Sequence, residues 1–187
     1  MESIILASQS PRRKLLLEWA EIKFTVIVAN TEEECPPNIP MVDVPIFIAR
    51  EKAKVVQEKI SNKSKTIIAA DTIVVLENKI FGKPINRAEA ISFLISLSNN
   101  THKVITGVVI LKNEIEVAFS ETTFVEFHNL TQEQIEFYVD EYKPYDKAGG
   151  YAIQEWIGVI GIKKITGDFY NVMGLPISRV VQELDKL

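Results

Sequence analysis

Sulfur and imidazole are scarce in this chain, whose 187 residues include one cysteine and two histidines. Cys35 alone cannot close an internal disulfide or anchor a multi-thiolate zinc site, and His102 and His128 are the only imidazoles. Any metal is therefore expected to be a hard cation held by carboxylates and phosphate. A basic excess is missing as well. Lys and Arg number 21 against 25 Asp and Glu, a net charge of −4, which argues against a general nucleic-acid binder while leaving room for one local basic pocket. No basic-then-apolar leader follows Met1, and no apolar run is long enough to span a bilayer. Neither secretion nor membrane insertion is expected, and the cytoplasm is the expected location. Repeats, low-complexity tracts and flexible linkers are also lacking, so residues 1–187 are read as one domain, with room for two closely joined lobes.

What is present begins with Ser8-Gln9-Ser10-Pro11-Arg12-Arg13, set between the apolar run Ile4-Ile5-Leu6-Ala7 and Lys14-Leu15-Leu16-Leu17. An apolar run, a small polar loop and a proline at the first helical position read as a strand handing over to a helix, with Ser10 as N-cap. Free backbone N–H groups and the positive end of the helix dipole make such a start receptive to anions. Two hydroxyls and two guanidiniums add donors suited to phosphate oxygens. The helix is expected to run to Ala20 with its leucines and Trp19 facing a core, and Lys23 to Val28 reads as a half-buried strand. Ala29 to Pro40, with Glu32, Glu33, Glu34 and three prolines, is a loop whose clustered acids read more readily as a solvated turn than as a site. Helical spacing returns from Asp43 to Ile60, with Lys52 among its polar positions.

The run Thr66 to Leu76 places Asp71 between Ile67-Ile68-Ala69-Ala70 and Ile73-Val74-Val75-Leu76. An unpaired carboxylate in a buried strand is costly, so Asp71 needs a cation, either a metal or a lysine, or else lies where the strand meets solvent. Glu77-Asn78-Lys79 reads as a hairpin turn that returns Ile80-Phe81 along the strand and brings Gly82-Lys83-Pro84 towards Asp71. A helix is expected over Arg87 to Leu97, and a long hairpin over Thr101 to Leu111 and Glu114 to Phe127. Thr131 has capping-box spacing to Gln134 and opens a helix to about Tyr142. Asp146 to Gln154 has no amphipathic period. Its paired glycines allow positive φ, Tyr151 offers a stacking face, and Gln154 offers an amide that can read a base edge, although a plain loop fits as well. Val159 to Ile165 reads as a strand, Gly167-Asp168 as a turn, and Ile177 to Leu184 as the last helix. His102 and His128 read as ordinary surface or hydrogen-bonded histidines.

Together, Ser8 to Arg13, Ala70-Asp71-Thr72, Gly82-Lys83-Pro84, Asp146-Lys147-Ala148-Gly149-Gly150-Tyr151-Ala152-Ile153-Gln154 and Asn171-Val172-Met173-Gly174-Leu175-Pro176 closely resemble the Maf family of nucleoside triphosphate pyrophosphatases. The five motifs stand in the family's order and span almost the whole chain. The resemblance implies an elongated α/β fold, a two-lobed mixed sheet with helices packed on it and an active-site cleft between the lobes, shared with the inosine triphosphate pyrophosphatases. It implies hydrolysis of a nucleoside triphosphate to the monophosphate plus pyrophosphate, with Mg²⁺ or Mn²⁺ required. Ala70-Asp71-Thr72 and the Asp146 to Gln154 run resemble the branch acting on dTTP and UTP, with modified pyrimidine nucleotides as further candidates. The branch acting on 7-methyl-GTP, and a non-enzymatic regulator of septum formation, are the alternatives. Carried over by position, the resemblance makes Asp71 the catalytic carboxylate, puts Ser8, Ser10, Arg12 and Arg13 on phosphates, and adds Glu33, Lys52, Lys83 and Gln154, with Asp71 and Glu33 on the metal. Gln9 stands where the family usually has glycine. The expected partner is a small-molecule nucleotide, not a nucleic acid or a membrane. Family members are often dimers, and the Thr101 to Phe127 hairpin offers a homodimer an edge or face if it is not core.

Overall fold

A computed structural model describes residues 4–29, 31, 35, 36 and 38–187. Its seven strands are β1 (Ile4–Leu6), β2 (Phe24–Val26), β3 (Ile67–Leu76), β4 (Lys79–Phe81), β5 (Thr101–Lys112), β6 (Ile115–Phe127) and β7 (Ile162–Thr166). They form one mixed sheet in the order β2-β1-β3-β5-β6-β7, with β4 beside β3. The helices are α1 (Pro11–Trp19), α2 (Val44–Lys59), α3 (Arg87–Leu97), α4 (Gln132–Tyr142), α5 (Trp156–Gly161), α6 (Phe169–Met173) and α7 (Ile177–Leu184). Among the described residues no helix is long and apolar enough to cross a membrane.

Contacts divide the chain into two compact units, and both changes of unit in the long hairpin, like that in β3, fall inside a strand. The first unit comprises Met1–Asp71, Thr106–Glu121 and Gly174–Leu187. In it β1 runs parallel to both β2 and β3, with Leu6 opposite Val26 on one side and Ile68 on the other. Ala49, Ala53 and Val56 of α2 pack on Ile5, Ile67, Ala69 and Val109 of the strands. That face follows the helical repeat read from the sequence, and its small residues let the helix lie close to the sheet.

The second unit comprises Thr72–Ile105 and Thr122–Met173. Here β4 folds back antiparallel on β3 through Glu77-Asn78, with Glu77 at positive φ, and α3 and α4 supply Phe93, Leu94, Ile135, Tyr138 and Val139 to a core shared with Phe81, Val125 and Phe127. The capping box forms as its spacing predicts: Thr131 Oγ1 accepts from Gln134 N–H, and the Gln134 side chain accepts from Thr131 N–H.

Several expectations need correction. Trp19 is exposed, because α1 turns only Leu16, Leu17 and Arg13 inward, and β2 is a three-residue edge strand with its last two residues exposed. Val159–Gly161 belongs to helix α5, and only then does β7 begin. Gly158 passes so close to the Ile153 carbonyl that a Cβ would collide with it, and its N–H bonds Glu155 O. A turn closed by glycine thus overrides the β propensity of an apolar run whose Val159 faces solvent. The short helix α6 was not anticipated.

Candidate functional site

In the first unit, β1 ends its ladder with Ala7 N–H donating to Ile68 O at 2.8 Å, and the chain then turns into α1. Ser10 caps the helix and Pro11 occupies its first position, as the sequence predicts. Ser8 Oγ is the hub of the loop. It accepts from Ser10 N–H at 3.2 Å and from Arg13 Nη1 at 3.1 Å, while Ser10 Oγ accepts from Arg13 N–H at 3.5 Å. Ser8 and Arg13 are buried, whereas Ser10 and Arg12 are partly accessible. The Arg13 guanidinium is held a second time, its Nε donating to the Gly174 carbonyl at 2.7 Å. A hydroxyl-rich loop with backbone N–H groups and a fixed guanidinium is chemically an oxyanion site.

Asp71 is buried in β3, and its cation is a lysine. Lys52 Nζ lies 2.7 Å from Asp71 Oδ1, with both side chains almost out of solvent at 13% and 10% exposure. The sequence left metal or lysine open, and the structure supplies the lysine from α2. Continuing the β1–β3 register beyond Leu6↔Ile68 sets Ser8 level with Ala70. Asp71, midway along β3, thus lies beside the carboxyl end of β1, where the Ser8 to Arg13 loop begins, and the carboxyl ends of parallel strands are where ligands bind in α/β sheets. Glu33 lies outside the described residues. No group of three or more His, Cys, Asp or Glu that could hold a metal occurs among the described ones.

Lys83 and Gln154 belong to the second unit. Lys83 is exposed just beyond β4, and the preceding Gly82 carbonyl accepts from Gly149 N–H at 2.9 Å, which ties the Gly82-Lys83-Pro84 strap to the Asp146 to Gln154 segment. That segment is a 3-10 turn over Ala148–Gly150 with Gly149 and Gly150 at φ of 71°. A Cβ on Gly149 would meet Val74 Cγ2 at 2.9 Å, so glycine answers both the conformation and the close approach.

Tyr151 is not a stacking face. Its ring is buried edge-on against Phe127, with centroids 5.0 Å apart, and its hydroxyl is 2.7 Å from His102 Nε2. Burial raises the Tyr151 hydroxyl well above its ordinary pKa and lowers His102 to about 4. Ala152 is buried too, its N–H donating to Tyr138 Oη at 3.1 Å. Tyr138 Oη in turn donates to Glu155. Of Tyr151 and Gln154, the two residues expected near a base, only Gln154 is exposed. Sequence reasoning missed Lys147, a buried ammonium 2.7 Å from Asp146 and 3.4 Å from Glu155. It also missed Tyr138 and Gly174 as supports, whereas His102 is hydrogen-bonded, one of the two readings the sequence allowed. Lys147 and Gly174 lay inside the quoted motifs, whereas nothing in the α4 pattern singles out Tyr138.

A family model described as Maf-like protein matches residues 3–187. A protein of Cytophaga hutchinsonii named dTTP/UTP pyrophosphatase is 50% identical over 184 residues, covering 98% of this chain and 84% of its own length. One of the same name from Parabacteroides distasonis is 47% identical, covering 97% of this chain and 94% of its own. Among solved structures, the Ham1 protein of Staphylococcus aureus superposes with a TM-score of 0.52 at 15% identity, over 98% of this chain and 100% of that one. That likeness extends to the fold.

Proposed function

The chain belongs to the Maf family, and from that premise we propose that it hydrolyses dTTP and UTP at the α–β phosphoanhydride, giving the monophosphate and pyrophosphate. The observation that carries the reading is the buried Asp71–Lys52 pair beside the end of β1 from which the Ser8 to Arg13 loop leaves, joined to the name borne by relatives up to 50% identical. Water attacks the α-phosphorus in line with the bridging oxygen. The new P–O bond replaces the α–β bond, one water proton passes to Asp71, and pyrophosphate departs with the bridging oxygen. Lys52, hydrogen-bonded to Asp71, fixes the carboxylate towards the water and stands ready for the negative charge that builds on phosphate oxygens. Arg13 and Lys83 add positive charge to the leaving group, and Ser8, Ser10 and Arg12 hold the triphosphate tail. Gln154, the exposed amide of its segment, reads the pyrimidine edge.

The oxygen donor of Asp71 suits a hard divalent cation bound together with phosphate oxygens, and Glu33 is the second carboxylate proposed to hold it. Mg²⁺ or Mn²⁺ in that position would neutralise phosphate charge and lower the pKa of a bound water. The enzyme is proposed to act in the cytoplasm on free nucleotides, not on nucleic acid. A panel of dTTP, UTP, CTP, ATP, GTP and 7-methyl-GTP, assayed with Mg²⁺ or Mn²⁺ for released pyrophosphate, tests this. The expected result is the highest kcat/KM for dTTP and UTP; a preference for 7-methyl-GTP, or no pyrophosphate from any nucleotide, overturns it.

A further inference from the structure

One motif of the sequence, Asn171 to Pro176, has no part in the chemistry so far. Its glycine touches the anion loop directly: the Gly174 carbonyl accepts from Arg13 Nε at 2.7 Å across 161 residues of sequence. Gly174 is buried with φ at 110°, a backbone region that a residue with a Cβ enters only under strain. In that conformation its carbonyl meets Arg13 Nε. The guanidinium is thereby fixed at two atoms, Nε by Gly174 and Nη1 by Ser8 Oγ. Two hydrogen bonds to different nitrogens of a planar group set both its position and its plane.

We propose that Gly174 is a positioning residue of the pyrophosphatase reaction, its carbonyl holding Arg13 in the orientation that receives charge on the departing pyrophosphate. This rests on the function proposed above. The energetic argument is preorganisation. An arginine already oriented pays no ordering cost as charge develops, while one that has lost this bond must be ordered further at that moment. A Lys at position 13 would have no Nε to give, so the contact also accounts for arginine at that place in the loop.

A double-mutant cycle tests the proposal with Gly174→Ala, Arg13→Lys and both together, each checked for folding by circular dichroism and for Tm. Two readouts are taken: steady-state kinetics on dTTP, and the Kd of inorganic pyrophosphate, which carries the charge of the proposed leaving group. Gly174→Ala is expected to lower kcat by roughly ten- to a hundredfold with KM within about threefold, and to weaken pyrophosphate by about tenfold. In the Arg13→Lys background the same change is expected to cost less than about twofold on both readouts. If Gly174→Ala does not fold, replacing Leu175 by its α-hydroxy acid turns the Gly174 carbonyl into a weaker ester acceptor with no Cβ added, and the same pattern is expected. Equal losses in both backgrounds, an Arg13→Lys protein with unchanged kcat and pyrophosphate Kd, or a lowered Tm with unchanged kinetics per folded molecule would each overturn the proposal. If wild-type protein binds pyrophosphate but releases none from any nucleotide, the function reading fails alone and the pyrophosphate arm still decides the role of Gly174.

Discussion

Asp71 shows what a single residue in an apolar strand commits a fold to. Its neighbours Ala69 and Ala70 are fully buried, so the carboxylate could not be left without a partner, and Lys52 meets it at 2.7 Å. Taking one member of such a pair away strands the other charge. Lys52→Met is therefore expected to destabilise the protein by about 3 kcal/mol or more and to abolish turnover, whereas Asp71→Leu combined with Lys52→Met is expected to regain stability while remaining inactive; urea titration and pyrophosphate release measure the two. Asp71→Asn, nearly the same shape, is expected to lower kcat by roughly a hundredfold or more. A kcat close to wild type in a folded Asp71→Asn protein would remove Asp71 from the mechanism. His102 makes a second prediction. Burial lowers its imidazole to about 4 while the unfolded chain titrates near 6.5, so the unfolded state binds the extra proton between those values. The stability owed to neutral His102 is complete above about pH 6.5 and is lost as pH falls towards 4, amounting to about 2 kcal/mol between pH 7.5 and pH 5. His102→Gln, which keeps a donor and acceptor near Tyr151, is expected to flatten that part of the stability–pH curve measured by urea titration. An unchanged slope would show that another group carries it.

At the scale of elements, what could be read depended on whether the signal was local. Ser10 and Pro11 fix the start of α1, Thr131 and Gln134 fix that of α4, and the repeat of Ala49, Ala53 and Val56 gives α2 its buried face, all from neighbours in sequence. The segment Trp156 to Gly161 failed because its helix is six residues long and is set by the approach of Gly158 to Ile153, which no periodicity reports. Gly107 is a second contact of this kind, and the site depends on it. A Cβ there would collide with the backbone of Pro45 and Ile46 in the first turn of α2. Pro45 and Lys52 are seven residues apart and share a helix face, so the face pressed against Gly107 is the one that carries Lys52 to Asp71. Gly107→Ala is expected to cost about 2–3 kcal/mol by overpacking and to lower kcat per folded molecule as α2 is displaced. Calorimetry and kinetics on the purified variant check both, and a Tm within about 1 °C of wild type would mean that the helix yields freely and positions nothing.

For the whole molecule, the order β2-β1-β3-β5-β6-β7 rests, outside the β5–β6 hairpin, on pairings between separate segments and could not be composed from single elements; a mixed sheet with helices packed on it, though not its strand order, was expected because five motifs together resembled a family. The same holds for the site. Asp71 and the Ser8 to Arg13 loop drew notice on their own chemistry, Lys52 read as part of a solvated helix face and Lys83 as a basic hairpin tip brought towards Asp71 until the resemblance gave each a role, and Tyr151 was misread because an aromatic beside two glycines looks the same whether it faces a ligand or the His102 in its own core. A property of the complete protein tests the assembled site without turnover. A ligand that binds only the folded state stabilises it by mass action, about 2.7 kcal/mol at a hundredfold excess over Kd, and for a chain of this length each kcal/mol moves Tm by roughly 2–4 °C. A non-hydrolysable α,β-methylene UTP with Mn²⁺ is therefore expected to raise Tm by about 5–10 °C at that excess. EDTA is expected to remove most of the shift if the cation joins the carboxylate side of the site to the phosphates. The same shift in EDTA would show that the Ser8 to Arg13 loop and the lysines hold the triphosphate unaided, and that Asp71, already paired with Lys52, needs no metal to meet its substrate.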